Sequence, residues 1–228
     1  MIDVIKIIAI IICSYLIGNI NASIIISHFK GGNIRNSGSG NPGTMNMVRT
    51  YGKLLGVLTL IIDGLKSAVC CVAACYVMGE NPFSNDFFPF SDGDFSNRLP
   101  IYIAGISATV GHIYPVFMKF KGGKGIACII GVNLITQPVF MLIMVVVGIL
   151  LIILFKIGTF GSFSMIFIPI IYDVAATGGK DITVSLLIMF MVLVSLLAHK
   201  DNIVRLFRGR ENLTYLFKPK TKKEKEDK

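Results

Sequence analysis

Between two uncharged hydrophobic runs lies GHIYPVFMKFKGGKG, Gly111 to Gly125, which packs Lys119, Lys121, Lys124 and the glycines Gly122, Gly123 and Gly125 into seven residues. Ammonium groups, and backbone N–H groups that glycine leaves unshielded, can converge there on one small anion; phosphate is the natural guest. A nucleotide P-loop is excluded, because Met118 stands where its first glycine should be and Gly125 follows Gly123-Lys124 where a hydroxyl residue is required. A short basic loop can also do no more than orient the spans on either side of it. Its weight therefore depends on the other loops.

Two of them carry chemistry of the same kind. In SGSGNPGTMNMVR, Ser37 to Arg49, Gly38, Gly40 and Gly43 let the chain turn sharply, and Asn41-Pro42 marks a turn. Ser39, Asn41 and Asn46 offer hydroxyl and amide groups, and Arg49 offers a planar fork suited to phosphate. A flexible connector would explain the polarity but not the glycine spacing with an arginine at its end. In HKDNIVRLFRGRE, His199 to Glu211, a helix would bring His199, Asn202, Leu206 and Glu211 near one face, with Ile203, Leu206 and Phe207 free to rest on a membrane surface. A basic juxtamembrane helix accounts for Arg205, Arg208 and Arg210 but gives His199 and Asn202 nothing to do.

The elements that must hold these loops are membrane spans. The chain of 228 residues is 54% hydrophobic and only 15% charged, with a mean hydropathy of +0.73. No Asp, Glu, Lys or Arg interrupts Ile7 to Ile26, Leu99 to Met118 or Gly125 to Phe155, and about 20 apolar residues cross a bilayer as a helix. The five cysteines lie in apolar segments and share no ligand spacing with histidine, so they read as packing residues. No metal or cofactor is called for, and no nucleic-acid partner. The N-terminus lacks the positive start and small-residue site of a cleaved signal and is expected to remain as the first helix.

Seven helices follow, an all-α transmembrane bundle: about Val4 to Ser27, Leu54 to Met78, Pro100 to Phe117, a run from Gly125 split at Gln137-Pro138 into two, one ending near Tyr172 after a Gly/Ser turn over Lys156 to Ser164, and Ile182 to Ala198. A polar hairpin is expected over Asp173 to Asp181 and an acidic loop over Gly79 to Arg98. Asp63 and Lys66 lie one turn apart inside the second helix, a spacing that suits either function or a self-contained pair. If the C-terminus is cytoplasmic, that side holds 18 of the 22 Lys and Arg, which sets the N-terminus outside and all three motifs on the cytoplasmic face. Residues 1–200 form the transmembrane catalytic domain in this reading, and 201–228 the juxtamembrane motif and a basic tail.

Together, in this order and on these loops, the stretches GSGNPG, GHIYPVFMKFKGGKG and HKDNIVRLFRGRE resemble those of the bacterial acyl-phosphate:glycerol-3-phosphate acyltransferases, the PlsY family. The resemblance covers nearly the whole chain. It implies a seven-helix inner-membrane enzyme of phospholipid biosynthesis that moves an acyl group from acyl-phosphate to glycerol 3-phosphate, giving lysophosphatidic acid and phosphate without a cofactor. By the same resemblance the family's site residues fall on Ser39, Arg49, His199 and Asn202 as catalytic groups. Lys124, Gly122, Gly123, Gly125, Arg35, Asn41, Glu211 and a serine after the fifth helix, Ser162 or Ser164, fall on the phosphate-binding positions. The chain departs from the family pattern with Asn33 before Ile34-Arg35, with Thr44-Met45 before Asn46, and with Phe160-Gly161 in the fifth turn.

Both implied substrates are phosphate anions, and phosphate leaves readily from a mixed anhydride. Such a site needs cationic and N–H stabilisation more than a covalent nucleophile. Arg49, Asn202 and Ser39 are assigned to glycerol 3-phosphate, and Lys124, the glycine loop and Ser162 to the acyl-phosphate. His199 or a substrate phosphate oxygen serves as base. Two other classes compete. An anion transporter would place polar groups at the midplane of related halves, yet no internal repeat is visible. A scaffold that binds lipid through basic loops would leave His199, Asn202 and the ordered glycines idle.

Overall fold

The computed structural model describes residues 2–83, 98–177 and 182–216; the middle of the acidic loop, the tip of the hairpin expected over Asp173 to Asp181, and the basic tail lie outside the described residues. Among the described residues every regular element is helical. They are α1 (Ile2–Gly18), α2 (Ala22–Phe29), α3 (Thr44–Tyr51), α4 (Lys53–Met78), α5 (Arg98–Ile113), α6 (Ile126–Thr136), α7 (Pro138–Phe155), α8 (Gly158–Thr177), α9 (Ile182–Ala198) and α10 (Lys200–Phe207). Four segments are long and apolar enough to cross a membrane, Asp3–Phe29, Lys53–Met78, Arg98–Met118 and Pro138–Phe155. The pair α9 and α10 passes the same test but bends by 60° at His199. At 11 residues α6 is about 16 Å long, well short of a hydrocarbon core of about 30 Å.

Large apolar side chains such as Ile5, Leu65, Leu142 and Leu186 are exposed on the outside, as lipid-facing helices require. Inside, Ile101 and Tyr102 of α5 pack with Ile129 and Val132 of α6 and Ile188 and Met191 of α9. Glycines set the closest helix contacts: a Cβ on Gly18 would lie 2.3 Å from the Ala108 carbonyl oxygen, and one on Gly131 would lie 2.1 Å from that of Gly64. Small residues let backbones meet where lipid gives no hydrophobic drive to pack.

Several boundaries are as the sequence predicts. Gln137-Pro138 separates α6 from α7, with proline at the first turn, where its missing N–H costs nothing. α9 occupies the expected residues. Three differ. The first span is broken at Asn19 to Asn21, because Asn21 Oδ1 caps α2 by accepting from the Ile24 amide at 3.1 Å. The first loop contains α3, whose buried Met47 and Asn46 give a polar-looking stretch an inner face. The turn placed over Lys156 to Ser164 is confined to Lys156 and Ile157: Lys156 adopts φ 58° and closes α7, and α8 has begun by Gly158. Ser162 and Ser164 are thus helical, their hydroxyls donating to the Gly158 and Gly161 carbonyls at 3.1 and 2.8 Å. α8 also runs on to Thr177, through the start of the expected hairpin.

Candidate active site

The lysine loop is built from the end of α5 outward. Pro115 follows the helix, a short 3-10 turn spans Val116–Met118, and Lys119 and Phe120 take left-handed φ values of 55° and 58°. The chain then returns, so that the Gly122 and Gly123 amides donate to the Ile113 and His112 carbonyls, each at 3.0 Å. These amides satisfy the orphan carbonyls at the C-terminus of α5, which corrects the expectation that they stand free for an anion. Gly125 (φ 81°) is the N-cap of α6 and supplies no side-chain cap. Lys124 therefore stands beside helix amides that no side chain has claimed, an arrangement suited to an anion.

The first motif is held by Asn46, whose Nδ2 donates to the Ile34 and Ser37 carbonyls at 3.1 and 2.9 Å while its Oδ1 accepts from the Ser39 amide at 2.9 Å. Gly43 starts α3, which carries Arg49. Arg49 Nε donates to Thr214 Oγ1 at 2.9 Å and Nη2 to the Asn212 carbonyl at 3.4 Å, so its fork also ties down the segment after α10. That segment is fastened again by the Thr214 amide on the Lys156 carbonyl at 2.7 Å.

The third motif turns on His199, 1% exposed at the bend between α9 and α10. Its Nδ1 is 2.8 Å from the Ser195 carbonyl oxygen; a carbonyl only accepts, so Nδ1 carries the proton and Nε2 keeps the lone pair. Burial pushes the imidazole down to about 4; the Ser195 bond opposes this and the nearby Lys124 adds to it. It is neutral at physiological pH. One turn on, Asn202 accepts from Lys124 Nζ through Oδ1 and donates through Nδ2 to Thr159 Oγ1 and Glu211 Oε1, both at 3.1 Å. Glu211 also pairs with Arg205 at 3.3 Å. Lys124 is lowered to about 8, by burial first and by Arg205 next, with Glu211 opposing.

These pieces enclose one cavity of about 340 Å³, lined by Ser39, Asn41, Arg49, Lys124, Gly125, Ser162, His199, Asn202 and Glu211. Its apolar wall comes from Leu60 of α4, Ile130 of α6, Val145 and Ile149 of α7 and Met165 of α8. The cavity is thus polar where the loops meet and greasy between the helices. Of the other expected site residues, Gly122 and Gly123 do not line the cavity, and Arg35 donates to the Lys121 carbonyl, tying the first loop to the second. Ser162 lines the cavity and Ser164 does not.

Comparison with known proteins shows the family. Residues 8–209 match the family described as glycerol-3-phosphate acyltransferase. A glycerol-3-phosphate acyltransferase of Finegoldia magna is 35% identical over 204 residues, covering 89% of this chain and 92% of the relative. One from Syntrophotalea carbinolica is 37% identical over 204 residues, covering 89% and 94%. The chain belongs to the glycerol-3-phosphate acyltransferase family. A crystal structure of PlsY, an integral membrane glycerol 3-phosphate acyltransferase, in its glycerol 3-phosphate form superposes with a TM-score of 0.77 at 28% identity, covering 93% of this chain and 99% of that one. A form with lysophosphatidic acid gives 0.74 at 27% identity, covering 92% and 96%. This chain is therefore an all-α integral-membrane acyltransferase.

Sequence reasoning missed part of what this family member uses to shape its site. Thr159 and Thr214 lie outside the three motifs, and only the fold reveals that they receive Asn202 and Arg49. Asp63 and Lys66 were visible as intramembrane charges, but not their third partner: Lys66 Nζ is 2.8 Å from Asp63 Oδ1 and 2.9 Å from Nδ1 of His112, in the second motif.

Proposed function

We propose that the cavity transfers the acyl group of an acyl-phosphate to glycerol 3-phosphate, giving lysophosphatidic acid and inorganic phosphate on the cytoplasmic face of the bacterial inner membrane. The observation that carries this reading is a cavity with Lys124, Asn202 and His199 in one part and apolar side chains of α4, α6, α7 and α8 in the other. A fatty acyl chain fits the second part, and two phosphates and a carbonyl fit the first. The acyl-phosphate phosphate lies at Lys124, the N-terminus of α6 and Ser162. Glycerol 3-phosphate lies toward Ser39, Arg49 and Asn202.

In the reaction, the primary hydroxyl oxygen of glycerol 3-phosphate attacks the acyl carbonyl carbon. The bond from that carbon to the phosphate oxygen breaks, and inorganic phosphate leaves with the electron pair. The hydroxyl proton passes to Nε2 of His199, whose lone pair is free because Nδ1 is engaged with Ser195; a phosphate oxygen of the substrate is the other acceptor. Lys124 and the α6 amides stabilise the charge that builds on the departing phosphate. Arg35 and the loop glycines act by placing Lys124, and Glu211 by holding Asn202 and Arg205.

The topology that serves this chemistry has the N-terminus outside, seven apolar segments and all three motifs cytoplasmic, as the loop charges favour. Purified protein supplied with acyl-phosphate and labelled glycerol 3-phosphate should release one phosphate per lysophosphatidic acid formed. Transfer from an acyl thioester but not from acyl-phosphate would overturn the choice of donor. Cysteines placed at Ser39 and Phe83, in a background without the five native ones, should label from opposite sides; labelling from one side would overturn the topology.

A further inference from the structure

The apolar part of the cavity has an inner end, and the side chains there differ from those near the loops. Val57 is one turn into α4 and Ile153 two residues from the end of α7, whereas Leu60 is seven residues from Lys53 and Val145 ten from Phe155, about 10 and 15 Å into the bundle. Near the mouth, Val57 and Ile153 are 49% and 40% exposed. Leu60 and Val145 are half-buried, and Ile130 and Met165, which pack with them, are 6% and 8% exposed. The cavity is thus open near the loops and closed deeper in.

A cluster of methionines closes it. Met165 of α8 and Ile130 of α6 pack with Met141 and Met144 of α7. Met141 and Met144 are buried and do not line the cavity, so they stand behind its end, while Met165 lines it. The place of Met165 is set by the facing helix: a Cβ on Gly148 of α7 would lie 2.4 Å from Met165 Cε and 3.2 Å from its Cγ. Glycine at 148 therefore leaves a recess that the thioether fills. An unbranched thioether moves easily, and with Met141 and Met144 packed behind it, the free space open to it is the cavity.

We infer that Met165, seated over Gly148, is the stop for the acyl chain and sets the longest acyl group that the site accepts. The inference rests on the acyl-phosphate reading of the cavity given above. With its carbonyl held among Lys124, His199 and Asn202, the acyl group runs inward between α4, α7 and α8, and its methyl end meets the methionine cluster. A chain that ends there buries every methylene, each worth about fourfold in binding. A longer one must displace Met165 from its recess or leave carbons unburied.

The test supplies glycerol 3-phosphate with saturated acyl-phosphates that lengthen two carbons at a time and reads kcat/KM for each. In the wild type kcat/KM should rise with length and then fall on the order of 10-fold over one two-carbon step. Met165→Ala removes the stop and should move that fall to longer chains. Gly148→Ala drives the thioether from its recess into the cavity and should move it to shorter ones. A variant that is merely destabilised loses activity on all lengths together, so a fall that stays in place in either membrane-inserted variant, or moves the same way in both, would overturn the proposal. A wild type whose kcat/KM never falls with length would overturn it without any variant having to fold. A wild type that transfers none of these acyl groups would instead refute the acyl-phosphate reading of the cavity.

Discussion

Replacing Gly123 with alanine adds one methyl group at a tight point of the lysine loop. Its Cβ would lie 2.2 Å from His112 Nε2, 2.9 Å from the Pro42 carbonyl oxygen and 3.0 Å from His112 Cδ2. Relief to ordinary contact needs a movement of about 1 Å. The neighbours resist it: His112 is held by Lys66 at 2.9 Å, and the Pro42 carbonyl by Asn21 Nδ2 at 3.2 Å. The loop itself must then give way, and the next residue is Lys124. Overpacking of this kind costs about 1–3 kcal/mol in stability, and a displacement of about 1 Å at a reacting centre costs on the order of 100-fold in rate.

The assay is kcat/KM for each substrate, alongside membrane insertion and thermal stability of the solubilised protein. Gly123→Ala should lose on the order of 100-fold in kcat/KM while still inserting and folding. Gly122→Ala should be at least as damaging, because its Cβ would meet the His112 and Ile113 carbonyl oxygens at 2.0 and 2.8 Å. Gly31→Ala is the control: its φ is 71° and nothing lies within 4 Å of its Cβ. It carries the left-handed penalty of about 1–2 kcal/mol with no steric push on the site, and should stay within about twofold in rate. Wild-type kinetics in Gly122→Ala and Gly123→Ala together would refute this account and return the loop to a role in topology alone.

Further outcomes follow from the same geometry. Lys124 loses its charge above about 8 in the free protein, so kcat/KM should fall as pH rises through that value. The limb in kcat should lie at higher pH, because a bound anion favours the ammonium. On the acid side His199, lowered to about 4, stays available as a base until the pH falls through that value, so His199 should contribute no acid limb near 6.5, and one assigned to it by its removal would contradict the buried, Ser195-bonded imidazole. Arg49→Lys should lose at least about tenfold because an ammonium cannot reproduce the fork, and Thr214→Val should lose less; equal losses would mean that Arg49 only ties down the C-terminal segment. Asn202→Leu should cost on the order of 100-fold in kcat by leaving Lys124 and Glu211 without their shared partner; kinetics unchanged in stable protein would remove Asn202 from the site.

The apolar helices were legible because lipid imposes one simple demand, a long uncharged run, and Gln137-Pro138 could be read as a break because proline acts locally. What stayed hidden depended on partners distant in the chain. The break at Asn19 to Asn21, which Asn21 caps from within the span, is also held by Lys66 on the Gly18 and Ile20 carbonyls, a partner far off in the chain. Likewise α3 exists because Met47 and Asn46 find an interior, and Ser162 points from a helix because Gly161 lets α8 close against α7, where a Cβ would lie 2.7 Å from the Gly148 carbonyl oxygen. The polar residues of the three motifs were visible by type and spacing. Their partners Thr159 and Thr214 were not, since a lone threonine carries no pattern.

The glycines of the lysine loop show how the same letters can mean different things before and after folding. Read as a string, Gly122 and Gly123 offer bare amides to an anion. In the folded chain those amides face inward and complete the end of α5, while the absent side chains let the loop lie against His112 and Pro42. In the proposed function anion binding then falls to Lys124, which Asn202 holds in place, and to the start of α6, while Gly122 and Gly123 contribute through where they put that lysine.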